Sequence, residues 1–274
     1  MEILEYRFFH NALIGSLLAC IACGIIGTYI VTRRLVFISG GITHSAFGGV
    51  GLSMFMGINP VLTAFLFAAA SALGVNWLKN KEIREDSAIA VFWILGMSLG
   101  IIFCFLTPGY SSDMTTYLFG NILTISNSDI AVLAIVAAAV LLLCITLYRP
   151  ILLIAFDREF AQTKGIKVGA IESIMMLAIA ATIVSTLRII GVVLVIAMLT
   201  VPQMTALLFT NNYKKTMWLS VIIGYASALS GLFLSYTINT PSGATIVLCS
   251  IAIYAISRAT IAIYRQTEAR KGNK

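Results

Sequence analysis

Apolar runs of about 20 residues recur along the whole chain, each long enough to cross the hydrocarbon core of a bilayer as a helix. The polar breaks between them alternate in charge. Arg33 and Arg34, then Lys79, Lys81 and Arg84, then Arg149 to Lys167, Lys214 and Lys215, and Arg258 to Lys274 form basic clusters. The breaks "TPGYSSDM" and "INTPSG" carry no basic residue. Loops rich in lysine and arginine stay on the cytoplasmic side, so the chain crosses an even number of times between successive clusters.

Two crossings therefore lie between Arg34 and Lys79, hinged at "GINP", where Gly57, Asn59 and Pro60 form a turn. Further pairs fit near Ser87–Leu106 and Ile130–Tyr148, Ile171–Leu187 and Ile189–Phe209, and Met217–Tyr236 and Ala244–Tyr264. With a first helix over Asn11–Thr32, about nine crossings result, and the N-terminus lies outside. The segment Ser111–Ser128 is too polar to span and too apolar for an ordinary loop. A re-entrant or short broken helix is expected there, which puts the count at eight to ten. No internal repeat is visible.

Composition agrees with this pattern. Of 274 residues, 59% are hydrophobic and only 11% charged, whereas a soluble domain carries about a quarter charged residues. The expected class is all-α: a polytopic transmembrane helical bundle forming one domain over residues 1–274. The opening "MEILEYRFFH" lacks the marks of a cleavable signal, so the first apolar run is read as a retained helix. Topology accounts for the net charge of +7, and no nucleic-acid partner is needed. The five cysteines fall inside apolar spans, and the C-x-x-C pair Cys20 and Cys23 reads as small polarizable filler. No G-x-x-x-x-G-K-[ST] phosphate loop occurs. The chain is thus expected to be no enzyme and to bind no cofactor of its own.

The longest basic loop, "RPILLIAFDREFAQTKGIKVGAIE", has a centre with helical character. Apolar Phe156, Phe160 and Ala161 share a helical spacing, and Asp157, Arg158, Glu159 and Lys164 lie elsewhere. Gly165 follows as a stop. Such a helix either lies on lipid headgroups or docks as a knob into a groove of a soluble partner. Acidic residues are poorly placed against an anionic leaflet, which favours docking.

"FDREFAQTKGI" resembles the coupling helix of bacterial ABC importer permeases, where an acidic–aromatic–alanine patch precedes a glycine. Four more stretches are similar to the membrane subunits of ABC importers for zinc, manganese or iron, the metal-chelate-type permeases. They are "LVFISGGITHSAFGGVGLSMFMGINP", "REDSAIAVFW", "DMTTYLFGNILTIS" and "LRIIGVVLVIAMLTVPQMTALL". The resemblance implies a permease homodimer in the bacterial cytoplasmic membrane, with two copies of a separate ATP-binding cassette ATPase. It also implies an extracytoplasmic metal-binding protein and a transported divalent metal ion. Asp157, Glu159, Phe160, Ala161 and Gly165 would form the coupling surface.

His44 is one of two histidines and lies amid glycine. Positions three, four and seven residues away on a helix share its face, and these are Gly40, Gly41, Gly48 and Gly51. Gly41, Ser45 and Gly49 also make a small-xxx-small run that lets membrane helices approach closely. An imidazole on a groove lined by backbone suits an ion path; the plainer reading is a hydrogen bond to a neighbouring carbonyl. The resemblance places a metal-handling histidine at this position. It also places an aspartate four residues earlier, where this chain has Gly40. Further ligands would come from Met54, Met97, Met198, Asn239 or the twin subunit.

Four other residues are candidates for a gate or path. Arg188 is an interfacial arginine or belongs to the outer mouth. Pro202, beside Gln203, either kinks its helix or frees a carbonyl near the path. Asp113 and Asn121 belong to an external gate or cap a short helix. A lone imidazole is a softer ligand than a carboxylate, which ranks zinc narrowly above manganese and iron. An ion-coupled secondary transporter would need carboxylates deep in a span, and Glu172 sits only at a cytoplasmic helix end. A membrane-embedded enzyme would need a metal cluster or an acid/base pair, which one histidine does not supply. Composition leaves a divalent-cation channel open.

Overall fold

A computed structural model describes residues 7–79, 81, 83–108, 120, 122 and 125–271. Eleven helices follow one another among the described residues: α1 Arg7–Thr32, α2 Val36–Met56, α3 Pro60–Lys79, α4 Glu85–Leu106 and α5 Asn127–Thr146, then α6 Tyr148–Phe156 and α7 Arg158–Thr163, then α8 Val168–Met198, α9 Val201–Phe209, α10 Tyr213–Ile238 and α11 Ser242–Lys271. Eight segments within them are long and apolar enough to cross a membrane. Helix α2, 21 residues long, also reaches about 30 Å at the helical rise. It does not qualify by hydropathy, yet it is the most enclosed element. From Ile38 to Gly51 every residue except His44 is buried. A helix surrounded by protein rather than lipid needs no apolar surface. Eight plus α2 gives the nine crossings expected from the loop charges.

Between membrane helices there is little hydrophobic driving force, and close van der Waals approach takes over. Helix α2 packs chiefly between α3 and α4, with α8 behind it. A Cβ on Gly51 would stand 2.5 Å from the Gly100 carbonyl oxygen, and one on Gly48 would stand 2.8 Å from that of Gly96. The α4 glycines reciprocate: Gly96 lies against Ser45 and Gly100 against Phe47. On the other side Gly49 abuts the Thr63 carbonyl of α3. Several hydroxyls inside the spans are satisfied within their own helix: Thr28, Thr43, Thr186 and Ser220 each bond the carbonyl four residues earlier at 2.6–2.7 Å.

The ends of the bundle differ. One end gathers the Arg33–Glu172 ion pair at 2.9 Å, the Lys79–Glu85 pair at 2.8 Å and the Tyr148–Tyr213 ring contact. At the other end Asn11 donates to the Ile125 carbonyl, and left-handed Gly57 and Asn239 terminate α2 and α10. The basic clusters lie at the first end, which makes it cytoplasmic. A membrane-impermeant maleimide on intact cells should therefore label Pro241→Cys and leave Lys164→Cys unlabelled. Labelling of Lys164→Cys from outside would invert the arrangement.

One boundary moves. The expected break within the third pair of spans falls at Arg188, but α8 runs helically through it. The backbone leaves helical geometry only at Gly191, with φ 76° and ψ 165°. A long side chain fits a helix without strain, whereas glycine alone takes that conformation readily. Gly120 packs its backbone against Ile190 and Gly191 at this break. The return crossing, Ile189–Phe209, is two short helices end to end, separated by Leu199 and non-helical Thr200.

Pro202 consequently occupies the first turn of α9, where its missing N–H costs nothing. It kinks no helix interior. The carbonyl four residues before it, on Met198, is engaged at 3.1 Å by Gln203 Nε2, which also donates to the Cys23 carbonyl at 2.9 Å. Gln203 is fully buried, so this amide stitches the broken crossing to α1.

Candidate functional site

The sequence around His44 folds so that its ring is the one half-buried side chain in an otherwise buried stretch. Its imidazole stacks on the Trp93 indole of α4, with centroids 4.4 Å apart and planes 10° from parallel. His44 Nδ1 is buried with no hydrogen-bond partner among the described residues. The plainer expectation of a structural hydrogen bond from this nitrogen thus finds no acceptor. Stacking fixes the plane of the half-buried ring, and an imidazole binds a metal through in-plane lone pairs. On the same face, roughly two turns before and three turns after, Phe37 and Phe55 are exposed.

The glycines around His44 do not form an open groove. Gly41, Gly48 and Gly51 are filled by Ile89, by Phe67 with Gly96, and by Gly100. Their lack of side chains is used to seat α4 and α3. Gly40 is the exception. A Cβ there would make ordinary contact with Trp93, at 3.6 Å from Cζ3 and 3.9 Å from Cη2. A Cβ is accommodated at this buried position, one turn from the imidazole.

The other suggested ligands serve elsewhere. The Met54 sulfur accepts from Cys104 Sγ at 3.9 Å. Met198 is buried in the core, and Asn239 is the left-handed cap of α10. Met97 is half-buried on α4, one turn past Trp93. No group of three or more His, Cys, Asp or Glu side chains could hold an ion among the described residues. Arg188 lies in α8 close to the Gly191 break. Asp113 and Asn121 lie outside the described residues.

The second cluster is the loop helix α7. Asp157 caps it, its Oδ1 accepting from the Phe160 amide at 2.9 Å. Gly165 ends it at φ +77°, a conformation L side chains rarely adopt. The three apolar residues divide between two faces. Ala161 is fully buried against Ile154 and Val168, whereas Phe156 and Phe160 are 67% and 45% exposed. Glu159 is exposed beside them. Arg158 points the other way, to Glu172 on α8.

Sequence reasoning missed three features. The G-x-x-x-G at Gly96 and Gly100 was readable as a packing motif. Trp93 had no local signal tying it to His44. Glu172 stands 139 residues from its partner Arg33, a separation no local pattern reports.

A bundle of spanning helices around an enclosed glycine-rich helix, with a short helix presented outside the membrane, defines a multi-pass transport permease. The family model of the ABC 3 transport family matches residues 5–261. The chain belongs to that family. It is 34% identical over 257 residues to the manganese transport system membrane protein MntC of Halalkalibacterium halodurans, covering 93% of this chain and 88% of the relative. To a probable iron transport system membrane protein of Haemophilus influenzae it is 31% identical over 260 residues, covering 94% and 96%. Among solved structures it superposes on PsaBC from Streptococcus pneumoniae in complex with Fab with a TM-score of 0.84 and 30% identity, covering 93% of this chain and 92% of that one. The fold is that of an ABC importer permease.

Proposed function

We propose that this chain is the permease of an ATP-driven importer that carries divalent manganese into the cytoplasm, with iron as the second substrate. A separate ATPase subunit seats on α7, an extracytoplasmic metal-binding protein delivers the ion, and a second copy of the permease completes the path. The observation that carries this reading is α7 itself: a short capped helix outside the bundle, with aromatics turned outward and its base ion-paired to a spanning helix.

The metal follows the relatives, whose names specify manganese or iron. The softness of a lone imidazole ranks zinc first instead, and that preference gives way here. Imidazole serves manganese weakly, and weak binding suits a path that must release its ion. His44 is the permeation ligand. Exposed Phe37 and Phe55 share a helical face with half-buried His44, and on that face the twin permease supplies further ligands.

Co-expression with the ATPase and reconstitution into liposomes tests this reading. Uptake of radiolabelled manganese should require ATP and increase with the metal-binding protein, and unlabelled iron should compete better than zinc. Uptake driven by an ion gradient without ATP would mean a secondary transporter; downhill flow needing neither would mean a channel.

A further inference from the structure

We propose that Glu172 is a positioning residue for transport, the hub through which movement of α7 is passed into the membrane helices. The proposal rests on α7 being the seat of the ATPase.

Three segments meet at this one carboxylate, and a fourth is tied to it through Arg33. Glu172 is only 4% exposed, near the cytoplasmic start of α8. Its Oε1 accepts from Arg33 Nη2 at 2.9 Å and from Arg158 Nε at 3.1 Å, and its Oε2 accepts from Arg158 Nη2 at 3.3 Å. Arg158 opens α7 and grips the carboxylate with two donors. Arg33 follows α1, and its Nη1 donates to the Ile154 carbonyl of α6 at 2.8 Å. One buried anion therefore joins α1, α6, α7 and α8.

A six-residue helix cannot hold its own position, because a single turn gains too few hydrogen bonds to offset its ordering. The inward contacts of α7 are the Ala161 cluster with Ile154 and Val168 and the Arg158 bond. The first is a small apolar seat. The second is directional and bidentate, and such a link transmits rotation as well as translation. It leads into α8, the helix that packs behind α2 and is interrupted at the Gly191 break. A push on α7 thus has a continuous route, through the Arg158–Glu172 ion pair and then along α8, towards the far side of the membrane.

The charges make a clean test possible. Removing Arg158 leaves Arg33 and Glu172 as a neutral pair, so no buried charge is stranded. Removing Glu172 would leave two arginines facing each other, which endangers folding. Arg158 also lies on the opposite face of α7 from Phe160, away from the outward surface.

The experiment measures metal imported per ATP hydrolysed in proteoliposomes of the permease–ATPase complex, with ATPase capture measured in parallel. Arg158→Gln should retain capture and lower the transport ratio by roughly tenfold, while Arg158→Lys should recover part of it. In a Glu172→Asp background, where the shortened carboxylate no longer reaches, Arg158→Gln should cause little further loss. A merely structural role would reduce the amount of complex and leave the ratio alone. An unchanged ratio in Arg158→Gln overturns the proposal. Loss of capture in that variant also overturns it, because Arg158 would then belong to the docking surface. The seat itself is tested separately by Phe160→Ala, where undiminished capture would count against α7 as the seat.

Discussion

Phe160→Ala should leave the permease inserted and folded while weakening capture of the ATPase subunit by roughly 30-fold or more, as for loss of an aromatic hot spot costing about 2 kcal/mol. The fold has little stake in this ring. Phe160 is 45% exposed, and its contact among the described residues is with the Lys164 ammonium, 5.4 Å from the ring centroid. The turn is held by Asp157, Ala161 and Gly165, none of which the substitution touches. An aromatic kept at the surface of a capped helix has its energetic use against a partner. Phe156, more exposed still, should behave in the same direction. Pull-down of the ATPase by the variant, at matched membrane expression, is the measurement. Were α7 a helix lying on lipid headgroups, capture would be unaffected by either substitution.

What could be read from the sequence divides by range. The crossings follow from composition and loop charge, both local, and the helix cap and stop around α7 lie within ten residues of each other. Even there, spacing alone could not tell which apolar residues face inward: Ala161 is buried and its neighbour Phe160 is not. The apolar spans part at Arg188, as their polarity pattern predicts, but the backbone leaves helical geometry three residues later at Gly191, which polarity does not report. The glycine stripe of α2 was read as an open groove because a sequence carries no record of what fills the space. Gly96 and Gly100 fill it from α4. The Gln203 amide that takes the Met198 carbonyl and the triad at Glu172 depend on residues far apart in the chain. Such pairs become visible only once the helices are assembled.

The two kinds of glycine in α2 lead to the last expectation. Gly41→Asp should prevent normal assembly, because its Cβ would stand 2.6 Å from Ile89 Cγ2 and the charge would be buried between helices. Gly40→Asp, one residue away, should assemble, since the same atom meets only the edge of Trp93 at ordinary distance. It places a carboxylate one turn from His44. A carboxylate offsets more of the lost hydration of a hard divalent ion than an imidazole does. Gly40→Asp should therefore retain manganese more strongly and favour it further over zinc, with slower release. His44→Ala removes the ring and should cut metal accumulation at least tenfold, as expected for loss of a ligand in a site with few, while ATPase capture survives. His44→Asn separates ligand from scaffold, because an amide can donate a hydrogen bond without matching imidazole as a metal ligand. Transport at the native level in His44→Asn would make the residue structural, and full transport in His44→Ala would remove it from the path altogether. Radiolabelled manganese and zinc uptake in the four variants, at equal amounts of assembled complex, decides between these outcomes.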